Sequence, residues 1–331
     1  MDKLADIAVP QGLRSFLAEH GWAGAQVSLL AADASFRRYF RAVDGGRQAI
    51  IMDAPPPHED PKPFINVAEY LVHAGLRAPG ILGVDLERGL VLLEDFGDER
   101  MREYLDEYPN EEAKVYRNAI DVLAELATKP PAAVPLYDMN AYLREVRLFV
   151  EWYVPAMGLS VNPEEFDATW AAALASITRG SHQKTTVLRD YHAENIMLLA
   201  DGTQGIIDFQ DALLGHPAYD LVSLLQDARR DVSVELEAAM LEYYAAISNA
   251  DADFGAHYAL LGAQRNTKII GIFTRLWKRD GKARYLGFLN RMWTYLERDL
   301  AHPQLAELKT WFDLNVPQEI RRRLPDGAPV L

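Results

Sequence analysis

The chain contains 331 residues, of which 49% are hydrophobic and 25% are charged, and its formal net charge is −14. Because nucleic acids and anionic membranes are both bound through clusters of Lys and Arg, this acidic balance argues against either as a partner. No Cys is present, so disulfides, thiolate zinc sites and cysteine nucleophiles are excluded. The sequence shows no secretory signal pattern and no apolar run of about 18 residues that would span a membrane, which predicts a cytoplasmic protein.

Residues 1–96 predict a β-rich region. A helical pattern over residues 11–20 comes before five strand patterns, and a second helical pattern covers residues 64–74. Asp44-Gly45-Gly46 predicts a hairpin turn between the second and third strands, because Gly readily adopts the positive φ angles of tight turns. The strand patterns cover residues 26–31, 35–42, 48–53, 80–84 and 89–93.

Residues 97–331 are predicted to be mostly helical, because apolar side chains recur every three to four residues. A β-rich first part and a helical remainder predict an α+β protein of two lobes, with an N-lobe over residues 1–96 and a C-lobe over residues 97–331. The helical patterns cover residues 111–127, 139–153, 163–177, 216–229, 233–247, 255–270 and 284–299.

The most informative segment runs from residue 187 to residue 220. Asp190 and Asn195 lie in a polar loop, after which a short strand, a tight turn and a second strand lead to Asp208. This order predicts a hairpin that brings Asn195 close to Asp208, with Asp190 on the loop that enters it. Oxygen-rich side chains of this kind suit Mg²⁺, a hard ion that uses few protein ligands and keeps phosphate oxygens and waters.

Transfer of a phosphoryl group from ATP fits these three residues. The reaction needs the γ-phosphate held in line, its charge offset by metal, and an acceptor hydroxyl that is oriented and deprotonated. Asp190 suits the catalytic base, and Asn195 and Asp208 suit the magnesium ligands. Asp and Asn are common turn residues when taken singly, but their joint order and spacing predict a kinase with ATP and Mg²⁺ as cofactors.

The same pattern resembles that of known kinases. LRDYHAEN at residues 188–195 and IIDFQDA at residues 206–212 are similar to the H-R-D-x-x-x-x-N and D-F-G motifs of protein kinases. They resemble still more closely the aminoglycoside phosphotransferase and choline kinase branch. This resemblance implies a two-lobed protein-kinase-like fold that binds ATP in its cleft. It also implies that Asp220, in the stretch GHPAYDL, buttresses the loop of Asp190.

Two parts of the predicted nucleotide lobe depart from the kinase pattern. AADASFRR, residues 31–38, stands where a Gly-rich loop would cover the phosphates and contains no Gly, so the hydroxyl of Ser35 is expected to contribute instead. Met52 stands where a phosphate-pairing Lys is usual. Because Met carries no charge, we expect Arg38 or Arg41 on the neighbouring strand to offset the phosphate charge.

The remaining nucleotide contacts are predicted from position. Glu69, on the helix after the third strand, is expected to orient a cation. Residues 93–96 are expected to form the hinge that offers backbone hydrogen bonds to adenine. The predicted nucleotide-binding residues are Ser35, Arg38, Glu69, Glu94 and Phe96.

Two helical segments, residues 142–153 and 264–273, combine aromatic rings with charged side chains. Such combinations suit sugars, because rings stack on C–H faces and acids accept hydrogen bonds from hydroxyls. Amphipathic core packing explains some of the same residues. Asp211 is predicted to contact substrate or magnesium. The predicted substrate-binding residues are Glu145, Glu151, Trp152, Asp211 and Arg265.

Longer stretches resemble a narrower bacterial family, the anomeric N-acetylmuramate/N-acetylglucosamine kinases of cell-wall recycling. The resemblance lies in SFRRYFR, MDAPPP, LLEDFG and GIFTRLWKRDGKARYL. It implies a small-molecule sugar substrate that is phosphorylated on its C1 hydroxyl, with the sugar 1-phosphate feeding nucleotide-sugar synthesis for peptidoglycan. An Arg near the pocket would suit the lactyl carboxylate of N-acetylmuramate.

Two alternatives remain compatible with these residues. A kinase for an aminoglycoside, choline or homoserine would share the same three catalytic residues, although Arg147 and Arg265 disfavour a cationic acceptor. A non-catalytic pseudokinase is suggested by Met52, but the three intact catalytic residues argue against it. The preferred amino sugar, its anomer and the oligomeric state are left open by the sequence.

Overall fold

The computed structural model describes residues 9–32, 36–180, 182–248, 250–325 and 327–328. The chain divides into two compact units. The first unit comprises Met1–Glu111 and Glu194–Ala212, and the second comprises Glu112–Ala193 and Leu213–Leu331. We call Glu194–Ala212 the return segment, because it brings the chain back into the first unit. The lobe boundary at residue 96 stays a prediction.

The first unit contains a five-stranded antiparallel sheet. Its strands are β1 Gln26–Ala32, β2 Arg38–Asp44, β3 Arg47–Asp53, β4 Ile81–Asp85 and β5 Leu90–Glu94. Their order across the sheet is β1-β2-β3-β5-β4. The predicted β2–β3 hairpin is confirmed, since Asp44 pairs with Arg47 and the two Gly residues between them have φ of 57° and 89°.

One face of this sheet is covered by a short helix. The helices of the first unit are α1 Leu13–Glu19, α2 Lys62–His73 and α3 Met101–Glu107, with a 3₁₀ turn at Pro109–Glu111. Because side chains alternate along a strand, two residues each of β2, β3 and β5 point to the same face and pack in one core with α1. The resulting core contains Leu13, Phe16, Leu17, Trp22, Ala25, Phe40, Ala42, Ala49, Ile51, Leu90 and Leu92.

Four short strands follow later in the chain. They are β6 Thr185–Val187, β7 Ile196–Leu198, β8 Gln204–Ile206 and β9 Leu213–Gly215. Within the first unit, β7 and β8 of the return segment pair as an antiparallel hairpin. Within the second unit, β6 pairs antiparallel with β9, so the chain enters and leaves the return segment beside the same small ladder.

The rest of the second unit is helical. Its helices are α4 Glu112–Thr128, α5 Met139–Leu148, α6 Val154–Ala156, α7 Pro163–Ala173, α8 Ala175–Arg179, α9 Ala218–Leu225, α10 Val234–Ser248, α11 Phe254–Asp280, α12 Leu289–Leu300, α13 Ala306–Asn315 and α14 Gln318–Arg321. A π-helical turn, Phe149–Tyr153, continues α5, and 3₁₀ turns occupy Ala283–Phe288 and Pro303–Leu305. The antiparallel sheet and this helical unit confirm the predicted α+β class.

The long helix α11 continues to Asp280 instead of ending at residue 270 as predicted. It ends at Gly281, whose φ of 68° suits the left-handed residue after a helix. Gly271 lies inside the helix, where a Cβ would stand 2.4 Å from the carbonyl carbon of Leu148. Gly therefore lets the backbone of α11 approach the end of α5 closely. Among the described residues, no helix has the length and apolar character needed to cross a bilayer.

Candidate active site

The return segment brings Asn195 and Asp208 together, as predicted. Ile196 pairs with Ile206 at one end of the β7–β8 hairpin, and the next residue, Ile207, donates its N–H to the Asn195 carbonyl oxygen at 3.0 Å. Beyond this end, Nδ2 of Asn195 donates to Oδ2 of Asp208 at 3.3 Å. The hairpin thus places an amide and a carboxylate side by side.

This pair has the donor chemistry of a magnesium site. Asp208 has a positive φ of 61°, a conformation that Asp tolerates better than most residues. Its Oδ1 accepts a hydrogen bond from Nε2 of Gln210 at 2.8 Å, which orients the carboxylate. The described residues contain no group of three or more acidic, His or Cys side chains that would form a metal site alone. Two side chains nevertheless suit Mg²⁺, because phosphates and waters supply its other ligands.

In the predicted phosphate-binding region of the first unit, the two Arg side chains form ion pairs with carboxylates. Arg38 donates through Nε to Oδ2 of Asp53 at 2.8 Å. Arg41 lies 2.7 Å from an oxygen of Asp95 and 2.8 Å from an oxygen of Asp98. Met52 is fully buried. A phosphate role for Arg38 or Arg41 therefore stays a prediction, and it requires exchange of a carboxylate partner for a phosphate.

The other nucleotide candidates differ in their surroundings. Glu69 is exposed on α2, and within the described ranges its carboxylate has neither a hydrogen bond nor an ion pair. Glu94 pairs with Arg77 at 2.8 Å and accepts the Gly80 N–H at 3.1 Å. Phe96 is half-buried, with the Arg77 guanidinium 5.0 Å from its ring centroid. Ser35 lies outside the described residues. The nucleotide roles of all four stay predictions.

The loop over residues 188–193, which we call the Asp190 loop, is held by buried contacts of the second unit. Asp220 on α9 accepts the backbone N–H of Leu188 at 2.7 Å and that of Arg189 at 2.8 Å. The Tyr191 hydroxyl donates to a backbone carbonyl of α4 at 2.9 Å. The expectation that Asp220 buttresses this loop is confirmed.

Asp190 is half-buried and lies in a positive electrostatic environment. Burial raises the pKa of Asp190, but the charges of Lys268 and Arg265 outweigh this effect and hold the pKa below its ordinary value. Arg265 is 3% exposed, and its Nη2 donates to Oγ of Ser223 at 2.8 Å. Its Nε and Nη1 find no hydrogen-bond partner in the described part of the chain. Asp190 is thus ionised at neutral pH, as a base must be.

Glu145 lies in a buried network beside the same loop. It accepts hydrogen bonds from the Tyr137 hydroxyl and, at 3.2 Å, from Nε2 of Gln264. It also pairs with the Arg189 guanidinium, and its Oε2 lies 3.5 Å from Nζ of Lys268. Burial raises the pKa of Glu145, yet the two cations outweigh burial and hold the pKa below its usual range. Both oxygens are engaged, so sugar contact by Glu145 stays a prediction.

Three other predicted substrate residues belong to other segments of the chain. Glu151 is exposed in a groove of about 380 Å³ whose walls include Arg147 and Leu159. Trp152 is half-buried on the π-helical turn. Asp211 is exposed at the end of the return segment. The residues that line the groove differ from those around Glu145, and the substrate roles of these three side chains stay predictions.

Lys268 was not among the predicted site residues, yet it contacts two residues beside the Asp190 loop, Tyr219 and Glu145. Its side chain is buried, and Nζ donates to the Tyr219 hydroxyl at 2.9 Å while facing Glu145. The available signal was the position of this Lys beside the apolar run Ile269–Phe273. A Lys on a buried helix face is rare unless it is paired.

Comparison with known proteins now identifies the family. The family model described as the phosphotransferase enzyme family matches residues 26–258. The chain belongs to this family. The matched range of the phosphotransferase includes Asp190, Asn195 and Asp208, and it spans parts of both units.

Relatives and solved structures agree with this assignment. A protein of Caulobacter vibrioides named N-acetylmuramate/N-acetylglucosamine kinase is 39% identical to the phosphotransferase, with 93% of this chain and 97% of the relative covered. A choline/ethanolamine kinase family protein from Mesorhizobium loti matches with a TM-score of 0.63 at 14% identity, covering 89% of this chain and 96% of that one. A spectinomycin phosphotransferase in complex with ADP and spectinomycin matches with a TM-score of 0.62 at 12% identity, covering 94% and 100%. The predicted kinase-like fold is confirmed.

Proposed function

We propose that this phosphotransferase transfers the γ-phosphoryl group of ATP to the anomeric C1 hydroxyl of N-acetylmuramate, N-acetylglucosamine or both. The observation that carries the proposal is the 39% identity, over 93% of the chain, to a relative named as a kinase of these two sugars. The ADP bound to a neighbour of the same fold supports ATP as the donor. Peptidoglycan recycling in the cytoplasm would be the setting of this reaction.

In the proposed reaction, Asp190 is the catalytic base. Its carboxylate accepts the proton of the C1 hydroxyl while the sugar oxygen forms a bond to the γ-phosphorus. The bond between this phosphorus and the oxygen bridging to the β-phosphate breaks, and ADP leaves. The cations that lower the pKa of Asp190 support this role, because the base must be unprotonated before the transfer.

Asn195 and Asp208 would hold Mg²⁺. When bound, Mg²⁺ offsets the negative charge of the transferring phosphates. The Gln210 amide supports this assignment, because it fixes the orientation of the Asp208 carboxylate. We further assign nucleotide contacts to Ser35, Arg38, Glu69, Glu94 and Phe96, and sugar contacts to Glu145, Glu151, Trp152, Asp211 and Arg265.

Arg265 is the sugar-binding assignment with the strongest support. Its buried guanidinium has two nitrogens without a hydrogen-bond partner among the described residues. A buried, charged guanidinium with N–H groups that lack a protein partner can bind a carboxylate, which suits the lactyl carboxylate of N-acetylmuramate. N-acetylglucosamine lacks this carboxylate, so Arg265 would favour the former sugar.

The proposal is tested by following ATP consumption with Mg²⁺ and parallel acceptors: N-acetylmuramate, N-acetylglucosamine, choline, homoserine and kanamycin. We expect turnover on one or both amino sugars, with a sugar 1-phosphate identified by ³¹P NMR. Asp190→Asn should lower kcat by about 10²–10⁴-fold. Asp231→Asn is the matched control, because this Asp side chain is 85% exposed and remote in sequence.

Other outcomes would change the assignment. Turnover on choline, homoserine or kanamycin alone would retain the kinase and reject the amino sugars. Tight ATP binding without turnover on any acceptor would favour the pseudokinase. An unchanged kcat in Asp190→Asn would show that Asp190 is not the catalytic base.

A further inference from the structure

Lys268 lies where the supports of the Asp190 loop meet. Its side chain is 8% exposed, and burying an ammonium group is costly unless it is paired. Nζ donates to the Tyr219 hydroxyl at 2.9 Å and lies 3.5 Å from Oε2 of Glu145. Burial lowers the pKa of Lys268, but Glu145 and Tyr219 outweigh burial and raise the pKa above its ordinary value. The ammonium is therefore charged inside the second unit.

The two partners of Lys268, Glu145 and Tyr219, are connected to the Asp190 loop by different contacts. Glu145 pairs with the guanidinium of Arg189, the residue directly before Asp190. Tyr219 is the chain neighbour of Asp220, whose carboxylate holds the backbone N–H of Arg189 at 2.8 Å. One support thus acts on the side chain of Arg189 and the other on its backbone.

The conformation of Arg189 needs such support. Its φ of 71° lies in the left-handed region, which costs a non-glycine residue energy and persists only where surrounding contacts enforce it. A relaxed Arg189 would change the direction of the following residue, Asp190. Small displacements of a catalytic group from its productive geometry reduce turnover strongly.

We propose that Lys268 is a positioning residue for Asp190, which it serves by holding the Glu145 carboxylate against Arg189 and by fixing Tyr219 beside Asp220. The inference rests on the proposed function, since it assumes that Asp190 is the base. Lys268 itself contacts neither substrate nor nucleotide in this proposal. If Lys268 lost its charge, the Glu145 carboxylate would lose one of the two cations that fix its orientation and would keep only Arg189.

The test replaces Lys268 by Met, which has a similar length and no charge, and by Arg, which keeps the charge. We expect Lys268→Met to lower kcat by about tenfold to a hundredfold, with the KM values for ATP and sugar changing much less. Lys268→Arg should retain most of the activity. Thr274→Val is the matched control: Thr274 is fully buried on α11, and its hydroxyl donates within the helix, to the Ile270 carbonyl oxygen at 2.9 Å.

A second readout does not depend on activity. Hydrogen–deuterium exchange of the peptide over residues 186–193 should be faster in Lys268→Met than in the wild type or in Thr274→Val, with no change in the peptides of β2 and β3. If the wild type proves not to be a kinase, the proposed function fails, while this exchange still decides whether Lys268 fixes the loop.

A double-mutant cycle then tests the route through Glu145. Because both residues act on the same support, Lys268→Met combined with Glu145→Gln should lower kcat little more than Glu145→Gln alone. Additive losses would overturn this route. A Lys268→Met variant whose kcat and loop exchange match Thr274→Val, or whose KM alone changes, would overturn the positioning role. If Lys268→Met does not fold, Tyr219→Phe, which removes only one acceptor of the ammonium, decides the question by the same readouts.

Discussion

Asp220 holds the Asp190 loop through the backbone. Its two oxygens accept the N–H groups of Leu188 and Arg189 at 2.7 and 2.8 Å, and Arg189 is the residue with the left-handed φ of 71°. Such a conformation costs a non-glycine residue about 1–2 kcal/mol. The buried carboxylate offsets this cost by satisfying two N–H groups that would otherwise be left unpaired in the interior.

This carboxylate also predicts a pH dependence of stability. Burial raises the pKa of Asp220 to about 7, against the opposing effect of the two N–H bonds. A carboxyl whose pKa is raised by folding binds its proton more tightly in the folded state, so it stabilises the fold most below about pH 4. This contribution to the free energy of unfolding is lost as the pH rises through about 7.

We therefore expect the free energy of unfolding of the wild type to fall, relative to that of Asp220→Asn, as the pH rises from about 4 to about 7. At pH 4 the variant should be less stable by about 1–3 kcal/mol, because the amide nitrogen of Asn cannot accept one of the two N–H groups, and this difference should shrink as the pH rises. Urea denaturation at several pH values measures the difference. Asp231→Asn, with an exposed side chain, is the control. Parallel pH curves for wild type and Asp220→Asn would contradict the assignment.

The sequence predicted residue positions where the contacts are local. Asn195 and Asp208 are joined by a short hairpin, so spacing alone was sufficient to place them together. The network around Glu145 was not predictable in this way, because Tyr137, Arg189 and Lys268 come from distant parts of the chain. No periodic pattern marks such contacts, since each of these residues also suits an exposed helix or loop position.

At the scale of elements, the β7–β8 hairpin and Phe96 form one packed layer of the first unit. A Cβ on Gly205 would stand 2.5 Å from Cε2 of Phe96, so only Gly lets this ring lie against β8. The guanidinium of Arg77 lies 5.0 Å from the centroid of the same ring. The Ile206 N–H donates to the Arg77 carbonyl oxygen at 2.8 Å, which ties the hairpin to the same layer.

Gly205→Ala should therefore displace Phe96. We expect a loss of stability of about 1–3 kcal/mol, as for other overpacked sites. Because Phe96 is assigned to the nucleotide, the affinity for ADP should fall as well, which isothermal titration calorimetry measures. Gly202→Ala is the matched control: its φ is 83°, but a Cβ there meets nothing within 4 Å, so it adds backbone strain without moving the ring. Equal ADP affinities of the two variants would show that Phe96 does not contribute to nucleotide binding.

The sequence predicted where the helices lie along the chain, but not how each helix is divided. Residues 139–153 show one continuous apolar pattern, and the structure divides them into α5 and the π-helical turn Phe149–Tyr153. The wide turn begins where Gly271 of α11 comes against the backbone, with a Cβ position 2.4 Å from the Leu148 carbonyl carbon. This close approach is a tertiary contact, and the local sequence carries no signal of it.

At the scale of the whole molecule, the units are interleaved along the chain. The first unit is completed by the return segment, which 82 intervening residues, Glu112–Ala193, separate from Glu111. Contacts that are distant in sequence link this segment to the first part of that unit. They include Leu198 N–H to the Glu99 carbonyl oxygen at 2.8 Å, and Phe209 stacked on Phe64 with centroids 4.9 Å apart. The predicted boundary at residue 96 divides the chain once, so it cannot describe a later segment that belongs to the first unit.

The interleaving predicts that residues 1–111 do not form a stable unit alone. Without the return segment, Phe64 and Phe96 lose the partners that cover them, and burial of each large apolar side chain contributes about 1.5–3 kcal/mol. That is a large share of the 5–15 kcal/mol that stabilises a typical domain. A fusion of residues 1–111 to residues 194–212 through a flexible Gly/Ser linker of about 20 residues should restore cooperative unfolding.

Thermal unfolding followed by circular dichroism compares the fragment 1–111 with this fusion and with a fusion that carries a scrambled return segment. We expect a cooperative transition in the first fusion alone, because only it restores the β7–β8 hairpin beneath Phe96 and the Phe64–Phe209 stack. The scrambled control has the same composition and length, so it separates specific packing from the effect of added residues. A fragment 1–111 that melts at the same temperature as the intact fusion would show that the hairpin carrying Asn195 and Asp208 is attached to a preformed unit and does not contribute to its folding.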